Sequence, residues 1–80
     1  MLVKDAVVAR FQEICRERGM TMNELAVRSG VTPSSVYSMA DNRRRELSIS
    51  LIKKLCDGLD MTLGTFFSAP LFDEIEQEIC

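Results

Sequence analysis

Three consecutive arginines, Arg43 to Arg45, are the side chains of this 80-residue sequence with the clearest capacity for specific chemistry. A guanidinium group is always charged and can hold two oxygens of a phosphate or carboxylate at once. Such a cluster creates a positive local field whatever the net charge of the chain. A run of surface arginines can also be merely solvated, so its meaning depends on the elements beside it.

Catalysis and metal binding find little support in the sequence. Histidine is absent, and Cys15, Cys56 and Cys80 are odd in number and widely spaced, which matches neither a disulfide framework nor a zinc site. The sequence has no recognisable motif of paired catalytic acids, no cysteine with a neighbouring base and no glycine-rich phosphate loop. We therefore expect no enzyme, no metal and no cofactor, with Cys15 and Cys56 as small buried side chains.

The composition predicts one small globular domain. The chain is 46% hydrophobic and 28% charged, and no apolar run approaches the roughly 18 residues that span a bilayer. The charged N-terminal segment does not resemble a signal peptide, so we expect a cytoplasmic location. The net charge of −2 is uneven: residues 1–70 carry ten basic and eight acidic residues, whereas residues 71–80 carry four acidic residues and no basic one. The acidity is therefore confined to a tail.

Apolar spacing and helix-stop residues predict the first two helices. Apolar residues recur at intervals of three and four over residues 4–18, and Gly19 supplies a stop. Thr21 and Glu24 have the spacing of a capping box, which begins a second helix. Gly30 ends that helix after about two turns.

The next segment predicts a third helix followed directly by the arginine cluster. Thr32 followed by Pro33 is typical of an N-cap and a first helical residue, and this predicts a helix over 33–40. Residues 41–46 are polar and lack apolar periodicity, so they form an exposed loop.

Two further helices and a tail complete the expected all-α architecture. The periodicity predicts helices over 49–58 and 62–67. The residues that mark their ends are Ser48 and Thr62 as caps, and Gly58 or Asp60 as the close of the fourth helix. Beyond Pro70, the sequence predicts a last amphipathic turn or helix marked by Leu71, Phe72, Ile75 and Ile79.

The second and third helices have the pattern of a helix-turn-helix, in which two short helices cross closely. A small residue at the crossing lets the backbones approach, and glycine gives the left-handed conformation that a tight turn needs. The residues of this seam are Leu25, Ala26, Gly30, Val31, Val36 and Met39.

At these residues the sequence resembles the lambda-repressor and Cro-like helix-turn-helix proteins, the XRE family. The resemblance covers residues 7–67 and is carried by GMTMNELAVRSGVTPSSVYSM and by SISLIKKLCDGLDMTLGTFF. It implies a five-helix lambda-repressor-like DNA-binding domain that binds operator DNA as a homodimer. It also implies a transcriptional regulator that inserts helix 33–40 in the major groove of double-stranded DNA. We expect a repressor, although the sequence does not determine the sign of control.

The resemblance also assigns roles to individual residues. The positions that match the family's base-reading residues are Pro33, Ser34 and Ser38. We add Tyr37 as a base-reading candidate, since it could reach the DNA backbone or a thymine methyl group, although it could equally pack partly against a neighbouring helix. The positions that match phosphate-binding residues are Thr21, Asn42, Arg43 and Arg44. Further candidates for phosphate binding are Thr32, Ser35 and Arg45. Beside a recognition helix, the arginine cluster favours phosphate binding over simple solvation.

Two departures from the family pattern stand out. Met22 occupies a position where the family often has a DNA-contacting glutamine, so one contact is missing. Cys15 and Ala40 occupy the positions of a frequent Arg–Glu ion pair, and we expect a small apolar contact there instead.

The tail leaves two questions open. We divide the chain into a DNA-binding domain over 1–69 and an acidic amphipathic extension over 70–80. The extension could form the dimer or pack back on its own domain. There are two alternative functions. The protein could be a protein-interaction module of the same fold, or an antitoxin that contacts its toxin through the extension.

Overall fold

The computed structural model describes residues 1–41, 43 and 46–79, and this part of the chain is all-helical. The elements are α1 (Val3–Glu17), α2 (Met22–Arg28), α3 (Pro33–Met39), α4 (Ile49–Gly58), α5 (Leu63–Phe67) and a 3₁₀ turn (Pro70–Asp73). These five α-helices confirm the predicted fold class. No helix in the described ranges combines the length and apolar character that a membrane span requires.

Four of the helices begin at the predicted capping residues. In each, a side-chain hydroxyl accepts a hydrogen bond from a first-turn amide that has no partner within the helix. The pairs of hydroxyl and amide are Thr21 with Glu24, Thr32 with Ser35, Ser48 with Leu51, and Thr62 with Thr65. The helix starts are thus fixed by residues at most three positions apart.

The ends of α2 and α4 use different residues for the same conformation. Gly30 follows α2 with φ of +70°, a left-handed value that glycine adopts without a Cβ clash. After α4 the residue with positive φ is Asp60, at 56°, while Gly58 is the last helical residue. Of the two residues predicted to close α4, Asp60 is therefore the one that turns the chain.

An aromatic cluster fixes α5 and the start of the tail on the core. The ring of Phe66 is fully buried and its centroid lies 4.3 Å from that of Phe11 in α1. The ring of Phe72 lies 5.8 Å from Phe66 and 4.9 Å from Phe67. The first part of the extension therefore packs back on its own domain.

The extension is helical only over Pro70–Asp73, and residues 74–79 continue without helix. The predicted apolar stripe is not completed, since Ile79 is 84% exposed. A longer helix would place Glu74 one turn before Glu78 and bring like charges together. Instead, the Glu76 amide donates to the carbonyl oxygen of Met1 at 2.9 Å, so the tail runs beside the first residues of the chain.

This tail supplies the N-terminus of α1 with an acceptor from a distant part of the sequence. Leu2 occupies the capping position and has no polar side chain, whereas Glu78 Oε2 accepts from the Val3 amide at 3.1 Å. We expect Glu78→Ala to lower the free energy of unfolding by about 0.5 kcal/mol, because the Val3 amide loses an anionic partner. Urea denaturation followed by circular dichroism measures this. Glu78→Gln keeps an acceptor and should lose less; an unchanged Glu78→Ala variant would refute the capping role.

Candidate nucleic-acid interface

The α2–turn–α3 unit has the close crossing that its sequence predicts. Ala26 is fully buried, and its carbonyl oxygen accepts from the Val31 amide at 3.1 Å across the turn. Val36 and Met39 point from α3 into the core and are at most 4% exposed. One side of α3 is thereby fixed, and the opposite side is turned outward.

The outward side of α3 carries Ser34, Tyr37 and Ser38. Ser34 is exposed, Ser38 is partly exposed, and Tyr37 is 67% exposed. Most of the Tyr37 side chain is therefore accessible from solvent, and whether it contacts DNA stays a prediction. Glu76 and Glu78 of the tail lie beside Met1 and Val3, and Ser34 and Tyr37 are exposed in the described part of the chain.

The hydroxyl groups at the start of α3 form a local network. Thr32 Oγ1 lies 3.1 Å from Ser34 Oγ and 2.9 Å from Ser35 Oγ, and either partner can donate in each pair. Thr32 Oγ1 also accepts from the Ser35 amide. Pro33 and Ser35 are partly buried, whereas Thr32 and Ser34 are exposed and accessible to a ligand.

Thr21, a predicted phosphate-binding residue, is already engaged at the cap of α2. Its Oγ1 accepts from the Glu24 amide at 3.1 Å and donates to the Glu24 carboxylate at 3.2 Å. The same carboxylate accepts from the Thr21 amide. Because Glu24 is an anion at the N-terminus of α2, a phosphate approaching Thr21 would meet a competing negative charge.

Arg43 is exposed and paired. Its Nε and Nη2 donate to the two carboxylate oxygens of Asp41 at 3.1 and 3.0 Å, while 89% of its side chain is exposed. This hydrogen bonding raises the pKa of Arg43 above its ordinary value. The predicted phosphate-binding residues Asn42, Arg44 and Arg45 lie outside the described residues.

Sequence reasoning missed two residues that position this loop. Asp41 is the partner of Arg43, and an aspartate two residues before an arginine is a local signal that could have been used. Lys4 is only 6% exposed, and its Nζ donates to the backbone carbonyl of Asp41. Its position one turn before Val7 on the buried stripe of α1 was the available signal. Lys4 thus links the start of α1 to the loop that follows α3.

The comparison with protein families decides the assignment. A family model described as the Cro/C1-type HTH DNA-binding domain matches residues 10–70. The chain belongs to this Cro/C1-type helix-turn-helix family. The resemblance inferred from the sequence is confirmed.

A solved structure gives the same fold for this Cro/C1-type domain. The crystal structure of the prophage Lp1 protein 11 is similar with a TM-score of 0.80 and 26% sequence identity. The similarity covers 90% of this chain and 95% of that chain. Among the curated proteins, no significant match is found.

Met22 and Cys15, which belong to the two departures from the Cro/C1-type pattern, lie beside each other in the structure. Met22 is partly buried and packs against the core, where its sulfur lies 3.7 Å from Cys15 Sγ. Burial raises the pKa of the Cys15 thiol. Ala40 is exposed, and the contact between Cys15 and Ala40 stays a prediction. Met22 thus packs its flexible thioether against the core at the position where the family often has glutamine.

Proposed function

We propose that this chain is a sequence-specific regulator of transcription that binds double-stranded DNA through α3 in the major groove. The observation that carries the proposal is the outward side of α3, where Ser34, Tyr37 and Ser38 project from a helix whose other side is fixed in the core. The major groove admits an α-helix, and its base edges are read by side chains that donate and accept hydrogen bonds. In this role Pro33, Ser34, Tyr37 and Ser38 contact bases.

The phosphate contacts come from the helix starts and the arginine loop. These contacts position α3 without reading bases, and the residues proposed for them are Thr32, Ser35, Asn42 and Arg43 to Arg45. Thr21 is a further proposed contact, which the Glu24 carboxylate beside it weakens. The acidic tail keeps the net charge negative, but binding depends on the local charge at the DNA surface.

We further propose that the protein acts as a homodimer and a repressor in the cytoplasm. A single small module buries only about 600–1,000 Å² on DNA, so two copies on a two-fold site roughly double the contacts. Two such helices would read half-sites about 34 Å apart. A small domain held on promoter DNA controls transcription most simply by blocking access to it.

Two observations favour a second candidate, a protein-interaction module of the same fold. A groove of about 400 Å³ near the tail has a largely apolar lining that includes Val3, Ile49 and Phe67. Arg43 is also already paired with Asp41. The other alternative, an antitoxin, would bind both DNA and protein: DNA through α3 and its toxin through residues 70–80. Co-purification of the chain with a second small protein would favour this reading.

Selection of bound sequences from random duplexes tests the main proposal. We expect a two-fold symmetric site to be enriched, with affinity that falls steeply as salt rises because phosphate contacts release counterions. Absent enrichment, or binding that does not respond to salt, would contradict it.

The Arg43–Asp41 pair gives a sharper test on the selected duplex. Asp41→Asn frees the guanidinium and removes an anion, so we expect binding about three- to tenfold tighter at low salt. Arg43→Ala should weaken binding and reduce the salt slope by up to about one charge. Asp41 follows the C-terminus of α3, so loss of its charge does not weaken the helix dipole interaction. Unchanged binding by Arg43→Ala would mean that Arg43 does not contact the DNA, and weaker binding by Asp41→Asn would mean that Asp41 positions Arg43 for that contact instead of competing with the DNA for it.

A further inference from the structure

The hydroxyl of Ser38 has its only proton committed within α3. Ser38 Oγ donates to the carbonyl oxygen of Ser34 at 2.9 Å, one turn earlier in the helix. A serine hydroxyl has one donor hydrogen and two acceptor lone pairs. With the hydrogen directed at the backbone, Ser38 presents only lone pairs to anything that approaches the outward side of α3.

Ser34, the neighbouring hydroxyl on the same side, is not restricted in this way. Its Oγ is 3.1 Å from Thr32 Oγ1, and either atom can donate. Thr32 Oγ1 also has Ser35 Oγ at 2.9 Å, so the hydrogens of this trio can be rearranged. Ser34 can therefore offer a donor or an acceptor, whereas Ser38 is biased toward accepting.

The base edges in the major groove carry different donor and acceptor groups, and these determine which bases each of the two residues can bind. Adenine N6 and cytosine N4 carry donor hydrogens, whereas guanine N7 and O6, adenine N7 and thymine O4 only accept. To donate to one of these acceptors, Ser38 would have to give up its hydrogen bond to the Ser34 carbonyl.

We propose, on the basis of the function proposed above, that Ser38 is a specificity-determining residue that accepts a hydrogen bond from the exocyclic amino group of adenine or cytosine. Every base pair carries one such amino group, but its place in the groove differs between A·T, T·A, G·C and C·G. A fixed acceptor on α3 therefore favours the pairs that bring the amino group within its reach.

The experiment begins with parallel selections from random duplexes by the parent protein and by Ser38→Ala. The base pair whose preference disappears in the Ser38→Ala selection is the one that Ser38 reads. At this pair, the amino group is removed from the groove by 2-aminopurine in place of adenine, or by 2-pyrimidinone in place of cytosine. The purine N7 acceptor is removed separately with 7-deazaadenine or 7-deazaguanine.

We expect loss of the amino group to weaken the parent protein about fivefold, the factor of one neutral hydrogen bond, and to leave Ser38→Ala nearly unaffected. Loss of N7 should affect both proteins equally. Ser38→Thr retains a hydroxyl and should respond as the parent does. The matched control is Ser68→Ala, which removes the same type of hydroxyl bond, from Ser68 Oγ to the Gly64 carbonyl at 2.8 Å, at the end of α5.

Each outcome separates this inference from the function on which it rests. If the parent protein enriches no sequence, the proposed function fails and the inference fails with it. If a site is enriched but no base pair depends on Ser38, the function stands and the inference is wrong. If removal of N7, and not of the amino group, couples to Ser38, then Ser38 donates and the inference is also wrong.

Discussion

Replacement of Gly58 by alanine is expected to destabilise the fold by about 1–3 kcal/mol, although alanine is the better helix former. An ideal Cβ at Gly58 would lie 2.0 Å from Ser29 Oγ, and 3.1 and 3.2 Å from Ser29 Cβ and Cα. The added methyl group would push the end of α2 away from α4. Since this contact sets the position of α2, and α2 supports α3, DNA binding should fall as well.

Urea denaturation of three further variants separates the clash from other effects. Ser29→Ala removes the closest atom, so the Ser29→Ala/Gly58→Ala double variant should recover a large part of the loss. Ser29→Ala alone should be neutral or stabilising, because Ser29 Oγ is buried without a partner in the described part of the chain. Gly64→Ala is the matched control: its nearest atom, Thr62 Oγ1, is 3.9 Å away, so the helix-forming preference of alanine should prevail. Equal stability of Gly58→Ala and the parent protein would refute the close approach.

Replacement of Ser34 by glutamate is expected to reduce DNA affinity by about 100-fold or more. The carboxylate would project from the exposed start of α3 toward phosphates and base acceptors, where it meets repulsion and has no donor partner. The fold should be unaffected, because Ser34 is exposed and an acidic residue in the first turn of a helix is favourable.

Fluorescence anisotropy with the selected duplex measures this loss. Gln77→Glu makes the same change of net charge in the exposed tail and is the control for a nonspecific charge effect. If the two variants lose affinity equally, the outward side of α3 has no special part in binding. Circular dichroism of both variants checks that each remains folded.

The helix starts and the core of this fold were predictable because their determinants are local. The hydroxyls of Thr21, Thr32, Ser48 and Thr62 cap helices within three residues of themselves. The buried positions of α1 and α4 follow from the spacing of their apolar side chains.

The features that escaped the sequence depend on distant contacts. Gly58 was a reasonable candidate for the end of α4, but its lack of a side chain serves the approach of Ser29. The pairing of the tail with Met1 could not be inferred from either segment alone. The sequence did not determine whether Phe72 packs on its own domain or forms a dimer contact, because either arrangement places the aromatic ring against an apolar surface.

The location of the candidate site was predictable, but the hydrogen bonds and ion pairs that its side chains make within the protein were not. The assignment of Ser34 and Ser38 to the DNA-facing side followed from the resemblance to the Cro/C1-type family, and Tyr37 lies between them on the same helix. The engagement of Thr21 by Glu24 and of Arg43 by Asp41 depends on side-chain conformations that spacing does not determine.

The most direct measurement is a titration of the isotope-labelled protein with the selected duplex, followed by amide resonances in nuclear magnetic resonance spectra. If α3 lies in the groove, the amides of Ser34, Tyr37 and Ser38 shift most, and they saturate at one protein per half-site. If the largest shifts lie at Val3, Ile49 and Phe67 while the α3 amides stay unchanged, α3 is not the reading helix.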